Sequence, residues 1–225
     1  MNERIIISAD ELAEQELLAL ASSIGERVYA IKIHDAYDRL GPGIVGELKD
    51  AGAHKVWMDA KIHDIPNTAR ARAKAFAENG IDIITVHASG GVEMMRAAKE
   101  GAGSAEVYAV TVLTSLSEEA ASTIYHQKVM EQVLALAHLA KEAEVDGVVC
   151  SAKEVAMLAA DPALTGLKFV VPGVRSPGAD THDQKRVMTP REAINAGATH
   201  LVIGRQVTTA QDPASALSAV ESELL

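Results

Sequence analysis

The sequence predicts an α/β fold, a (β/α)8 TIM barrel in which a closed parallel sheet of eight strands is ringed by helices. Three observations predict it. Short apolar runs alternate with helix-period segments about eight times, and strands separated by helices pair in parallel through right-handed crossovers. The strand runs are almost wholly apolar, as strands buried on both faces must be. The length, 225 residues, suits one barrel. A doubly wound open sheet is the alternative topology, and no linker or second domain interrupts residues 1–225.

Each element has a local reason. Residues 5–9 read as the first strand and 11–23 as a helix that Gly25 stops. Residues 28–33 form the second strand, 43–51 a helix ended by Gly52, and 55–60 the third strand. Residues 67–78 are helical, capped by Asn67 or Thr68, with Gly80 beyond the end. The fourth strand is 81–87, followed by the tight turn Ser89-Gly90-Gly91 and a helix to residue 100. Residues 106–112 are the fifth strand, and a polar stretch over 114–123 leads to a helix over 127–143. The sixth strand is 147–150 with a helix over 152–160, and the seventh strand is 168–171. A long polar segment, 173–188, precedes a helix from Pro190 that ends before Gly197. Residues 200–203 are the eighth strand, and 214–225 the closing helix.

Composition narrows the function classes. Hydrophobic residues make up 48% and charged residues 23%, enough for a sizeable core, while aromatics are only 3%. The formal net charge of -10, with no basic run, argues against a nucleic-acid partner, whose phosphates require a positive face. A small anionic substrate needs only a few local Arg and Lys residues. The single cysteine, Cys150, rules out an internal disulfide and a Cys-rich metal site. No apolar run is long enough for a membrane span and the start carries no signal-peptide pattern, so a reducing cytoplasm is the expected compartment.

A barrel of this type places its chemistry at the C-terminal ends of its strands. Those ends carry Asp10, then Lys32, then Asp59-Ala60-Lys61, with Asp64 in the next loop. Strand residues two apart share a face, so Asp59 and Lys61 are expected to point together into the barrel mouth. Charges there are costly unless paired, and the alternation Lys32, Asp59, Lys61, Asp64 could pair itself. The fifth strand leads to Thr114 and Ser115. The seventh runs into Gly173 and Arg175, and the eighth into Gly204 and Arg205, where glycine amides and an Arg fork can hold a phosphate. The segment 176–186 is long for such a loop, holds Gln184, and reads as a lid. His34 and His63 match no metal-ligand spacing. Cys150 and Trp57 read as core, and His87 as a packing and hydrogen-bonding residue.

The run Asp59-Ala-Lys61-Ile-His-Asp64-Ile65-Pro66-Asn67-Thr68 resembles the signature of the orotidine 5′-monophosphate decarboxylase family. Asp10, Lys32, His87-Ala-Ser-Gly-Gly, Thr111-Val-Leu-Thr114-Ser115, Asp146-Gly-Val-Val-Cys150-Ser, Pro172-Gly-Val-Arg175, Asp183-Gln184 and Ile203-Gly-Arg205 follow in the family's order and spacing, closest to its bacterial branch. Two departures stand out: Ile7-Ser-Ala-Asp10 replaces Ala-Leu-Asp, and Ile33-His34 follows Lys32 where Val-Gly is common.

The resemblance implies a lyase without cofactor or metal that converts orotidine 5′-monophosphate (OMP) to UMP and carbon dioxide. It implies a homodimer with shared sites, to which one subunit brings Lys32, Asp59 and Lys61 and the other Asp64, Ile65 and Thr68. Lys61 is then the proton donor. Asp59 and Asp64 hold the lysines charged and oriented, and Asp10 and Lys32 reach the ribose. Thr114 or Ser115 recognises the pyrimidine edge. Gln184, Gly204 and Arg205, with Arg175, grip the phosphate. The rival is a magnesium-dependent sugar-phosphate lyase of the 3-keto-gulonate 6-phosphate decarboxylase type. Those relatives follow the Asp-x-Lys-x-x-Asp motif with Ala-Gly and carry a metal-binding Glu on the second strand, where this chain has Ile65-Pro66 and Lys32. A phosphate- or nucleotide-binding barrel without catalysis is the remaining class.

Overall fold

The structure is a computed structural model that describes residues 2–176 and 188–224. Among these, eight strands form: β1 (Asn2–Ser8), β2 (Val28–Ile33), β3 (Val56–Ile62), β4 (Ile83–His87), β5 (Glu106–Val110), β6 (Gly147–Val149), β7 (Lys168–Pro172) and β8 (His200–Ile203). Each pairs in parallel with its sequence neighbours, and β8 pairs back onto β1 through Ile5–Leu201 and Ile7–Ile203, so the sheet closes. That closure removes the open-sheet alternative.

The surrounding helices are α1 (Glu14–Ile24), α2 (Asp35–Leu40), α3 (Gly43–Asp50), α4 (Pro66–Glu78), α5 (Gly91–Ala102), α6 (Glu118–Tyr125), α7 (Val129–Glu142), α8 (Val155–Ala159), α9 (Pro190–Asn195), α10 (Arg205–Thr208) and α11 (Pro213–Glu223). Three of them, α2, α6 and α10, go beyond the sequence expectation. They run for six, eight and four residues; α6 begins in the stretch read as polar, and α2 and α10 start two residues after β2 and β8. The expected Asn67 or Thr68 cap is also corrected. α4 starts at Pro66 with Ile65 as its N-cap and no side-chain cap, because proline's fixed φ and missing N–H suit the first helical position. Asn67 and Thr68 lie inside the first turn. Gly80, at φ +83, follows α4 as expected.

The barrel interior follows from a period of two along each strand. Ile6, Ala30, Trp57, Ile83, Tyr108 and Val202 form its buried apolar middle. Two residues toward the C-terminal ends come Ser8, Lys32, Asp59 and Thr85, which make the mouth. Two residues toward the N-terminal ends come Lys55, Glu106, Lys168 and His200, which make the floor. Gly147 on β6 is required there, since a Cβ would stand 2.8 Å from the Cβ and carbonyl oxygen of Lys168.

The floor is a closed polar cluster. Lys55 and Lys168 each reach a Glu106 oxygen at 2.6 Å. The Tyr108 hydroxyl donates to Glu106 at 2.5 Å, and the Tyr29 hydroxyl donates to the same carboxylate. Burial opposes the Glu106 charge, but the bonds from Lys168, Lys55 and the two tyrosines prevail and hold its pKa at about 2. His200 packs on Tyr29 with ring centroids 4.5 Å apart. Burial first, then the Lys168 charge, lowers its pKa from 6.5 to about 4.

A group depressed in the folded state stabilises the fold above its unfolded value and loses that contribution as pH falls toward the folded one. His200 therefore withdraws stability as pH drops from 6.5 to about 4, and Glu106 withdraws more from 4.5 toward about 2. The urea midpoint is expected to fall across the first window in the natural protein and to stay flatter there in a His200→Phe variant. Equal slopes in the two proteins would refute the role of His200.

Candidate active site

At the mouth, four charges alternate across three strands. Asp10, just past β1, accepts from Lys32 on β2 at 2.8 and 2.9 Å. Lys32 lies 3.3 Å from Asp59 on β3, and Lys61 donates to the same Asp59 oxygen at 2.7 Å. The order in space is therefore Asp10, Lys32, Asp59, Lys61. This corrects the expected place of Asp64, whose exposed carboxylate turns back to accept from the Ile65 backbone N–H at 2.7 Å. Asp10 takes the fourth position because β1 and β2 are hydrogen-bonded neighbours with Ser8 opposite Lys32. The Ser8 hydroxyl donates to Asp10 at 2.6 Å and steadies it.

Asp59 and Lys61 meet, but not through simple strand alternation. The β3–β4 register breaks between Met58 and Ile62, and Lys61 adopts φ +45. A non-glycine residue in that region costs roughly 1–2 kcal/mol and persists only where its surroundings hold it. The kink swings the Lys61 ammonium back over Asp59. The Lys61 side chain remains 35% exposed while that of Asp59 is 12% exposed, so the array has a buried anchor and a solvent-facing end.

Burial raises the Asp59 pKa, but the charges of Lys32 and Lys61 and the bonds from Lys61 and Thr85 outweigh it and leave the carboxyl below its ordinary value. Thr85 was not anticipated. Its hydroxyl accepts from the Trp57 indole at 2.6 Å, which leaves its own proton for Asp59. The signal for it was a polar residue two before His87 on the inward face of Ile83-Ile-Thr-Val-His87. His87 packs against His63 with ring centroids 5.5 Å apart. Burial, then His63 and Lys61, lowers its pKa, so it stands neutral at neutral pH.

The opposite wall of the mouth carries the arginines. Gly173, at φ +77, turns the chain after β7. Arg175 is 8% exposed and donates to the Val174 carbonyl at 2.8 Å. Burial and then the Arg205 charge lower its pKa, which places the two guanidinium groups within electrostatic reach of each other. Arg205 opens α10, with Gly204 as the preceding N-cap. Gln206, also unanticipated, holds Ser176 through its backbone N–H at 3.1 Å and its hydroxyl at 2.5 Å. The Arg175 N–H donates to the Met188 carbonyl at 3.1 Å, so the two ends of the intervening segment meet beside the arginines. Gln184 lies outside the described residues.

Thr114 and Ser115 occupy an exposed turn after β5, and Thr68 is half-buried on α4. Cys150 is fully buried in the core, which pushes its thiol pKa up, and Trp57 is buried as expected. Among the described residues, no three His, Cys, Asp or Glu side chains gather as a metal-ligand set.

The paired lysines and carboxylates on β2 and β3 and the arginines after β7 and β8 coincide with a match to one family model over residues 3–220, described as "Orotidine 5'-phosphate decarboxylase / HUMPS family". The chain belongs to that family. Curated members similar to it include orotidine 5′-phosphate decarboxylases of Streptococcus pyogenes, 42% identical with 98% of this chain and 97% of the relative covered. That of Pseudoalteromonas translucida is 41% identical, with 99% of this chain and 97% of the relative covered. Among solved structures, orotidine 5′-phosphate decarboxylase from Lactobacillus acidophilus superposes with a TM-score of 0.82 at 32% identity, covering 99% of each chain. Within this family, the array across β2 and β3 and the arginine pair together make up the candidate active site.

Proposed function

We infer that the chain is an orotidine 5′-phosphate decarboxylase of pyrimidine biosynthesis, a carboxy-lyase that converts OMP to UMP and carbon dioxide. The observation that carries this reading is the Asp10–Lys32–Asp59–Lys61 array at the barrel mouth, in a chain about 40% identical to enzymes of that name. The family also takes in HUMPS enzymes. The magnesium-dependent rival is disfavoured because an ammonium, Lys32, occupies the β2 position where a metal-binding carboxylate would be needed.

The C6–carboxylate bond breaks with its electron pair left on C6, where resonance offers little help. Stabilisation must then be electrostatic. The Lys61 ammonium faces the developing charge and donates its proton to C6, giving UMP, and takes a proton back from water. Asp59, held in turn by Lys32, keeps the Lys61 ammonium aimed. Asp10 and Lys32 hold the ribose hydroxyls. Arg205, Gly204 and Gln184, with Arg175, take the phosphate, and Thr114 or Ser115 reads the pyrimidine edge. No step calls for a metal or cofactor.

The chain acts as one decarboxylase domain over residues 1–225 and as a homodimer with shared sites. Ile65, 67% exposed between Asp64 and α4, is the apolar contact that suits a second copy. Asp64, Ile65 and Thr68 then complete the partner's site, which accounts for Asp64 lying away from its own array. A cytoplasmic location fits one buried free thiol and the absence, among the described residues, of a helix able to cross a membrane.

The direct test mixes purified protein with OMP in EDTA and follows loss of orotate-ring absorbance. Rapid loss with UMP as product is expected. No reaction until magnesium is added, and then only with a sugar phosphate, would transfer the chain to the rival class.

A further inference from the structure

His34 follows β2 and precedes α2, and no step above uses it. Its ring Nδ1 lies 2.8 Å from the backbone carbonyl oxygen of Asp59. A carbonyl oxygen only accepts, so the Nδ1 atom carries the proton and donates. The neutral Nδ1–H tautomer and the imidazolium both make this bond.

The bond falls where β3 has least support. Register pairs with β2 end at Ile33–Met58, and those with β4 jump from Met58 to Ile62. Asp59, Ala60 and Lys61 lie in that gap, and Lys61 holds φ +45. The peptide between Asp59 and Ala60 sets the direction from which the chain enters the Lys61 kink. Strained backbone persists only when its neighbours over-determine it. Here a side chain from the next strand supplies a hydrogen bond in a stretch that the register pairs skip.

We propose that His34 is a positioning residue for the decarboxylation, holding the Asp59–Ala60 peptide through its Nδ1–H so that the kinked Lys61 keeps its ammonium aimed. His34 contacts neither the carboxylates nor the ammonium groups of the array through any bond in the structure. Its removal therefore acts on turnover and not on the grip of ribose and phosphate.

Three proteins test this: the natural chain, His34→Asn, whose amide nitrogen can sit near the place of Nδ1, and His34→Leu, which has no donor. The proposal rests on the decarboxylase reading for its assay. Turnover of OMP by the natural chain tests that reading alone, and the ratio of variant to natural chain tests His34.

The expected result for His34→Leu is a fall in kcat of about 3- to 10-fold, the range that one net hydrogen bond supplies. KM and UMP affinity should stay within about twofold, and His34→Asn should recover most of the loss. Natural kcat in His34→Leu, an equal loss in both variants, or a loss confined to KM and UMP affinity would each overturn it. Nitrogen-15 NMR of the imidazole in the natural protein gives an answer that does not depend on the variants folding. A protonated Nδ1 supports the bond, and a neutral ring protonated only at Nε2 overturns it.

Discussion

Lys61→Ala is expected to lower kcat for OMP on the order of 10⁴-fold or more while UMP still binds. Two losses combine. General acid catalysis by a positioned group contributes about 10²- to 10⁴-fold, and an oriented charge facing the developing anion contributes about 10²- to 10³-fold. On the proposed mechanism both reside in one ammonium, 2.7 Å from a buried carboxylate whose pKa lies below its ordinary value. Lys61→Arg should not rescue the reaction, because a guanidinium keeps its charge but gives up its proton far less readily. The fold should survive, since the Lys61 side chain is 35% exposed and Asp59 retains Lys32 at 3.3 Å. Steady-state kinetics with OMP and calorimetry with UMP test this. Natural turnover in Lys61→Ala would remove Lys61 from the mechanism.

Arg205→Ala is expected to lower kcat/KM for OMP roughly 10²-fold, the scale of a lost charge-assisted contact between an exposed guanidinium and the phosphate that covers it. The phosphate is remote from the C6 bond, so its binding energy reaches the reaction only by organising the site. Contacts beside Arg205 would carry that organisation. Arg205 begins α10, Gln206 on the same helix clamps Ser176, and Arg175 bonds Met188 at the far end of the segment. An anion on Arg205 would also offset the like charge that presses on Arg175. With the phosphate-free nucleoside orotidine, added phosphite should accelerate the natural enzyme, and Arg205→Ala should lose most of that gain. Unchanged OMP kinetics, or full phosphite activation in the variant, would place the phosphate elsewhere.

Residue patterning alone specifies the barrel, the order of its strands and the identity of most of the candidate site. Eight apolar runs with helical patterns between them leave few ways to bury every strand on both faces. The Asp-x-Lys-x-x-Asp run is local, so its place at the end of β3 was legible without coordinates. The short helices α2, α6 and α10 were not, because each precedes a further helix, α3, α7 or α11, that already completes its β/α unit.

Which charges pair depends on how the folded strands meet. Spacing along the chain favoured Asp64 as the fourth member of the array, but the β1–β2 pairing sets Ser8 opposite Lys32 and brings in Asp10 from 22 residues away. Strand alternation brought Asp59 and Lys61 together for the wrong reason: the register break and the positive φ at Lys61 do so instead. Thr85, Gln206 and His34 make their contacts through hydrogen bonds between elements distant in sequence. Such bonds depend on how neighbouring strands and loops meet, and residue spacing within one strand carries no record of that.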